Sequence, residues 1–287
     1  MPGEPASALS EEAQSWFFGC SACGKCCNSP PRLLLPELFR LERSFIGCLG
    51  VGRGGAGLEL FVHAFGSMAR SCPALEVDGR CRLHATGKPT ICSIVPLDPA
   101  ATDAEQGAVL RERRLEARYL GADCIRDRPG PGFRVVVRRL RVVDPELEAQ
   151  LADYRQAQQN EDRFWRRALH DWLAPELMRS ASLPAAGVAL SLSLSPVLLH
   201  VARASEACRA RVQRFLFAQA ELTGAEIAVL LQRKDPNERR EIAVLRGFQQ
   251  QIDALAQRLH APRSIAPPWP VAAARELELW LGVNATA

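Results

Sequence analysis

The chain has 287 residues, of which 47% are hydrophobic and 24% charged, so a packed core is expected and wholesale disorder is excluded. The formal net charge of +4 is too small to indicate nucleic-acid binding by itself. Residues 1–18 lack the basic and apolar segments of a secretory signal, so we expect a cytoplasmic protein. The longest uncharged stretch, residues 180–202, contains two prolines, which favours a buried segment over a transmembrane helix. We therefore expect no membrane association.

The first part of the chain predicts short elements after a loose leader at residues 1–15. Residues 33–45 carry apolar side chains at helical spacing and predict a short amphipathic helix. The glycine-rich residues 47–57 contain a literal G-x-G-x-x-G, but a predicted helix precedes them and a strand-like segment, residues 58–65, follows. This order is the reverse of a dinucleotide-binding loop, so we predict a flexible connection there. Residues 72–96 predict loops and turns.

The second part of the chain predicts one strand-like segment and then mostly helices. Residues 133–143 are β-branched and rich in arginine, which indicates a solvated strand face or, as the alternative, a surface for an anionic partner. Three helices are predicted to begin where a capping residue precedes proline, at Asp144-Pro145, Ser195-Pro196 and Asp235-Pro236. A last helix contains Leu277, Trp280 and Leu281, and ALSLSLS alternates as a short strand.

These elements together predict an α+β fold in two parts. Residues 16–143 are expected to form a small cysteine-rich, metal-supported domain with short strands and helices. Residues 144–287 are expected to form a mainly α-helical region.

The cysteines are the most informative feature of the sequence, because nine of the ten lie at or before Cys124. A cytosolic chain rarely keeps disulfides, so clustered thiols there favour metal binding. A C-x2-C step places two thiolates on one side of a turn, as ligands of one metal require. The eight candidate ligands are Cys20, Cys23, Cys26, Cys27, Cys72, Cys81, Cys92 and Cys124.

The identity and number of the metal centres stay open at this point. Sites that are rich in thiolate suit an iron–sulfur cluster and zinc alike. Cys26 and Cys27 are adjacent, so their side chains diverge, which suggests two centres that share a loop or a multinuclear cluster with one cysteine in reserve. His84 is interpreted as a neighbour of the site rather than a ligand, and Cys48 and Cys208 are left out of the set.

The cysteine pattern resembles that of the CxxCxxCC cysteine-cluster family, the YkgJ-type zinc- or iron-chelating domain, to which a domain of flagellin lysine N-methylase is related. The matching segments are CSACGKCC at 20–27, CPAL at 72–75, DGRCRLH at 78–84 and KPTIC at 88–92. Cys124 looks like the late cysteine of the family. The resemblance covers residues 16–135 and implies a cysteine-ligated metal centre. This chain departs from the family pattern in having Lys88 where an arginine is usual.

Two classes of function follow from these features. The first is a cytosolic protein with an iron–sulfur or zinc site of structural or redox role, and a helical region that binds a partner, such as a protein or peptide substrate. The alternative, implied by the methylase resemblance, is a protein lysine N-methylase-like enzyme that uses S-adenosylmethionine. A metal-dependent oxidoreductase or a peptide-maturation enzyme is a further alternative. The sequence leaves the oligomeric state open.

Overall fold

The computed structural model describes residues 15–54, 57–66, 72–116, 120–179, 190–260 and 269–283, and it confirms the predicted α+β class. The predicted leader lies outside the described residues except for Ser15. The strands, in chain order, are β1 (Ser15–Phe18), β2 (Arg32–Leu33), β3 (Gly47–Gly54), β4 (Gly57–Ala64), β5 (Ile125–Arg126), β6 (Arg134–Arg138), β7 (Arg141–Val142) and β8 (Leu190–Ser193). The helices are α1 (Leu35–Arg40), α2 (Thr90–Ser93), α3 (Gln106–Leu115), α4 (Pro145–Glu161), α5 (Arg167–Arg179), α6 (Ser195–Ala202), α7 (Glu206–Arg233), α8 (Arg239–His260) and α9 (Val271–Leu281).

The chain divides into two compact units, and each unit is discontinuous in sequence. Unit 1 comprises Met1–Pro31 and Arg70–Ala157, and unit 2 comprises Arg32–Ala69 and Gln158–Ala287. This division differs from the predicted ranges 16–143 and 144–287, because residues 32–69 group with the helical region and residues 144–157 group with the cysteine segments. The physical reason is strand pairing, since β3 is hydrogen-bonded to β8.

Unit 1 contains an antiparallel sheet with the strand order β5-β1-β6-β7. Trp16 on β1 is buried and pairs with Val137 on β6. The predicted strand at residues 133–143 is a tight hairpin of β6 and β7, because Arg139 and Leu140 both have positive φ. Helix α3, which the sequence analysis did not predict, packs on β1 and β6.

Unit 2 contains the second antiparallel sheet, with the strand order β2-β4-β3-β8. The prediction of a flexible connection at residues 47–57 is wrong, because residues 47–54 form β3, which pairs with β4 along its length and with β8 from Cys48 to Val51. A Cβ on Gly50 would lie 2.3 Å from Phe61 Cε2. Glycine therefore lets the Phe61 ring lie across the strand.

The helices of unit 2 begin near the predicted positions, but the prediction that Ser195 caps its helix is wrong, because the N-cap of α6 is Leu194 and makes no side-chain hydrogen bond. The helix predicted from Ser195 is two helices, α6 and α7, and the second begins where Ser205 Oγ accepts a hydrogen bond from Cys208 N at 3.1 Å. Before α8, Asp235 Oδ1 accepts from Asn237 N at 2.8 Å. These bonds satisfy amide groups that a helix end would otherwise leave unpaired.

Among the described residues, one helix meets the length and composition of a membrane span. This helix is α7, with 28 residues. The core helix of a soluble protein meets the same test, and α7 packs against α6 and α8. The finding is therefore a weak indication of a membrane span.

Candidate metal centre

The eight predicted ligand cysteines all lie in unit 1, whereas Cys48 and Cys208 lie in unit 2. None of the ten cysteines forms a disulfide. Cys48 and Cys208 are buried, and burial raises the pKa of both thiols. These two thiols therefore stay protonated and belong to a different unit from the candidate site.

The first cysteine segment, residues 20–27, is a turn that depends on a glycine. Gly24 has a φ of +71°, and Cys27 N donates a hydrogen bond to Gly24 O at 2.9 Å. A Cβ on Gly24 would lie 3.2 Å from the carbonyl oxygen of Gly79, which belongs to the second cysteine segment, residues 72–92. Glycine is thus required here by the backbone conformation and by the close approach of the two segments.

The second cysteine segment meets the first through its backbone. Cys72 N donates a hydrogen bond to Cys27 O at 2.9 Å. A tight reversal of the chain then pairs Cys81 with Leu75 as an isolated antiparallel bridge. Two stretches of chain that are distant in sequence therefore bring their cysteines together, as the candidate ligand set requires.

Five thiols of these two segments lie close enough to act on one another electrostatically. We call them the five-cysteine group: Cys26, Cys27, Cys72, Cys81 and Cys92. The Cys26 and Cys27 side chains act on each other most strongly. Cys27 also interacts with all three thiols of the second segment. Cys92 joins the group from α2, where its amide nitrogen donates to Pro89 O at 2.9 Å.

Burial and mutual repulsion control protonation in the five-cysteine group. The pKa of Cys92 is raised to about 12, first by burial and then by Cys72 and Cys81. Burial also raises the pKa of Cys72. The interaction between Cys26 and Cys27 raises the pKa of Cys26 and lowers the pKa of Cys27. A cation among these sulfurs would reverse the balance, because it stabilises thiolates that otherwise repel each other.

Cys23 and Cys124 form a second group, which we call the two-cysteine group. The Cys23 and Cys124 side chains act on each other electrostatically, and Ser21 Oγ lies 3.7 Å from Cys124 Sγ. The hydrogen bond with Ser21 lowers the pKa of Cys23, whereas burial raises the pKa of Cys124. Gly19 N donates to Cys124 O at 3.0 Å, so the backbone also joins the first segment to this cysteine.

Lysine side chains lie beside both groups. Lys25 Nζ donates to Asp123 Oδ2 at 2.8 Å, which holds its charge near Cys23. Lys88 opposes the burial that raises the pKa of Cys92. The sequence analysis assigned these lysines no role in the site, although a signal was present: two of the three lysines in the chain fall within the cysteine segments.

Cys20 and His84 are exposed residues at the margin of the site. The interactions that define the two groups do not include Cys20, which borders a cavity of about 330 Å³ with Phe18 and Phe133. His84 N donates to Cys81 O at 3.0 Å as part of a turn. Seven of the eight predicted cysteines therefore fall into two groups, and the ligand role of Cys20 stays a prediction.

The donor set suits a thiophilic metal, but the sulfurs are not at ligand positions. Within the part of the chain that the structure describes, no three His, Cys, Asp or Glu side chains are arranged to hold one metal ion. The thiols share hydrogen bonds and electrostatic interactions instead. The metal-ligand role of these cysteines therefore stays a prediction.

No protein-family model, curated protein or solved structure matches the chain. The resemblance to the CxxCxxCC family therefore stays a prediction, carried by the cysteine segments themselves. The alternatives, a lysine N-methylase that uses S-adenosylmethionine and an oxidoreductase or peptide-maturation enzyme, also stay predictions.

Proposed function

We propose that unit 1 is a metal-binding domain whose five-cysteine group holds an iron–sulfur cluster or zinc. The observation that carries this proposal is that two distant cysteine segments meet through the hydrogen bond from Cys72 N to Cys27 O, with five thiols near enough to interact electrostatically. Unrelated structural thiols have no reason to collect in this way. In a cytosolic protein such thiols stay reduced, so a bound metal is the expected reason for clustering them.

Backbone hydrogen bonds to sulfur support the proposal independently. The amide of Ala74 donates to the sulfur of Cys72, and the amide of Lys25 donates to the sulfur of Cys23. In each case the donor follows its cysteine by two residues. Hydrogen bonds of this kind stabilise the ionised sulfur and set the reduction potential of an iron–sulfur cluster.

The proposed role of the centre is structural or redox. The two cysteine segments are separated by the whole of residues 32–69, which belong to unit 2. Binding of a structural zinc contributes about 10–16 kcal/mol in small peptides, which is enough to offset the closure of a long loop. The two-cysteine group would supply further ligands to the same centre or hold a second one, and the helical unit 2 would bind the partner.

Metal analysis of the full chain tests the proposal. The protein is purified without oxygen, and its iron, sulfide and zinc contents are measured together with its visible spectrum. Cys81→Ser is expected to lower the metal-to-protein ratio by at least about half, because each sulfur lost leaves a metal under-coordinated. The control is Cys208→Ala, which removes a buried thiol of unit 2 and should leave the ratio unchanged. A metal-free wild-type protein, or equal ratios in the two variants, would reject the proposal.

Two further variants test whether the metal ligands are the five-cysteine group or the full set of eight predicted cysteines. Cys20→Ser should retain the metal of the five-cysteine group, because Cys20 takes no part in the interactions that define that group. Cys27→Ser should lose it. If Cys20→Ser loses as much metal as Cys27→Ser, the ligand set extends beyond the five-cysteine group and the assignment of ligands is wrong.

A further inference from the structure

Unit 2 contains a cavity of about 730 Å³ at the turn between α6 and α7. Its walls are the end of α6, the first residues of α7 and one side of α9, and Trp269 lies at one end. A cavity of this size accommodates a small organic molecule. It is separate from the cysteine groups, which belong to unit 1.

The lining of this cavity carries an excess of positive charge. Three arginines line it, Arg203, Arg209 and Arg275, together with the carboxylates of Glu206 and Glu278. Arg209 Nη1 is 3.6 Å from Glu206 Oε2, a pair in which the glutamate is largely exposed. At 3.6 Å and with an exposed glutamate this pair is weak, so Arg209 keeps capacity to bind an anion.

Two of these arginines carry buried donors without acceptors. The Nε–H groups of Arg203 and Arg209 are buried, and neither has a hydrogen-bond partner in the described part of the chain. Buried polar groups in proteins are nearly always hydrogen-bonded. The planar guanidinium presents paired donors that match a carboxylate or a phosphate. Because these Nε atoms are buried, an anion in the cavity would bind through the terminal Nη groups of the same side chains.

One aromatic residue, Trp269, also lines the cavity and is held in place. Trp269 Nε1 donates to His200 O at 3.2 Å, and the ring centroids of these two residues are 4.8 Å apart. The Trp269 ring also lies 6.4 Å from that of Phe164. The small side chains of Ala202 and Ala204 line the cavity as well.

We propose that this cavity binds an organic anion. Its carboxylate or phosphate group would bind to the arginines, and its planar or apolar body would lie against Trp269. The cavity lining thus offers both charged donors and an aromatic side chain to one small molecule. The proposal is independent of the metal centre, since every residue in it belongs to unit 2.

Fluorescence titration of the full chain with anilinonaphthalene sulfonate tests the proposal, because this probe combines an anionic group with a planar body. We expect saturable binding of one probe per chain, displaced by phenyl phosphate, by benzoate or by both. Displacement by phenyl phosphate alone would identify phosphate-bearing ligands, and displacement by benzoate alone would identify carboxylates. Absence of saturable binding, or failure of both competitors, would overturn the proposal.

Variants locate the probe in the cavity. The double variant Arg203→Gln with Arg275→Gln should raise the dissociation constant about tenfold or more, because it removes two charged donors. The control Arg214→Gln changes an exposed arginine of α7 outside the cavity and should bind as the wild type does. If circular dichroism shows that the double variant is unfolded, Arg275→Gln alone, at an exposed position, should still raise the constant about threefold. Equal binding by the cavity variants and the control would overturn the proposal.

Discussion

Replacement of Gly24 by alanine tests whether close packing of the two cysteine segments stabilises unit 1. Alanine at the φ of +71° found there costs about 1–2 kcal/mol in backbone strain. The added methyl would also lie 3.1 Å from Leu75 Cδ1 and 3.2 Å from Gly79 O. The second neighbour is backbone, so the turn itself must move, and overpacking of this kind adds about 1–2 kcal/mol. We expect the free energy of unfolding of unit 1 to fall by about 2–4 kcal/mol.

The matched control is Gly132→Ala. Gly132 has a similar φ of +74°, but no atom lies within 4 Å of the position of its added methyl. This variant should lose only the backbone term of about 1–2 kcal/mol. The free energy of unfolding of both variants is measured by urea unfolding of the metal-loaded chain, with metal release as the signal for unit 1. Equal losses for the two glycines would refute the argument that the segments pack tightly at Gly24.

Further predictions concern unit 2. A methyl on Gly50 would lie 2.3 Å from Phe61 Cε2, so Gly50→Ala should lower the free energy of unfolding in urea by about 1–3 kcal/mol. Gly247 lies in the middle of α8 with no atom within 4 Å of an added methyl, so Gly247→Ala should raise it by about 0.5–1 kcal/mol. The reverse order would contradict this account of the packing. Burial raises the pKa of Glu161 to about 7. The free energy of unfolding should therefore fall as the pH rises from about 4.5 to 7, because the unfolded chain releases this proton first. Glu161→Gln should abolish that fall. Burial lowers the pKa of His63 to about 4, so stability should fall as the pH drops from about 6.5 to 4, because the unfolded chain takes up this proton first. A series of urea unfolding curves at different pH measures this fall. If His63→Gln shows the same slope as the wild type, the prediction is contradicted.

The elements that could be predicted from the sequence are those with a local signal. The helix predicted at Asp144-Pro145 begins there, and Asp144 Oδ1 accepts from Leu147 N at 3.0 Å. It continues through a π-helical turn, Asp162–Arg166, which helical spacing alone does not reveal. The strand-like run at residues 133–143 also became strands. In each case the capping residue or the alternation acts within a few residues of the structure that it determines.

Strand β3 could not be predicted because its cause is not local. Glycine is unfavourable in strands, so a segment with Gly47 and Gly50 looks like a loop. In the folded unit a Cβ on Gly47 would lie 2.5 Å from Leu38 Cδ2, and Gly50 makes the equally close approach to Phe61 already described. Packing against side chains from other elements therefore overrides the local preference of this strand.

The candidate site was predicted as a set of residues but not as an arrangement. The spacing identified which cysteines to consider, since metal-binding thiols recur in closely spaced pairs. Their partition into two groups depends on hydrogen bonds between distant residues, such as those of Cys72 with Cys27 and of Gly19 with Cys124. No pattern along the chain encodes these contacts.

The turn at Gly24 explains why one C-x2-C step contributes to two groups. In a continuous helical turn, Cys23 and Cys26 would lie on the same face, as residues three apart do. The positive φ of Gly24 breaks that geometry, so Cys23 pairs with Cys124 while Cys26 joins the five-cysteine group. Lys25 lies between these two cysteines in the sequence and donates a hydrogen bond to Asp123, the residue before Cys124. The spacing of the cysteines therefore predicts which sulfurs are candidates for one site, and the backbone conformation between them decides which sulfurs lie near each other.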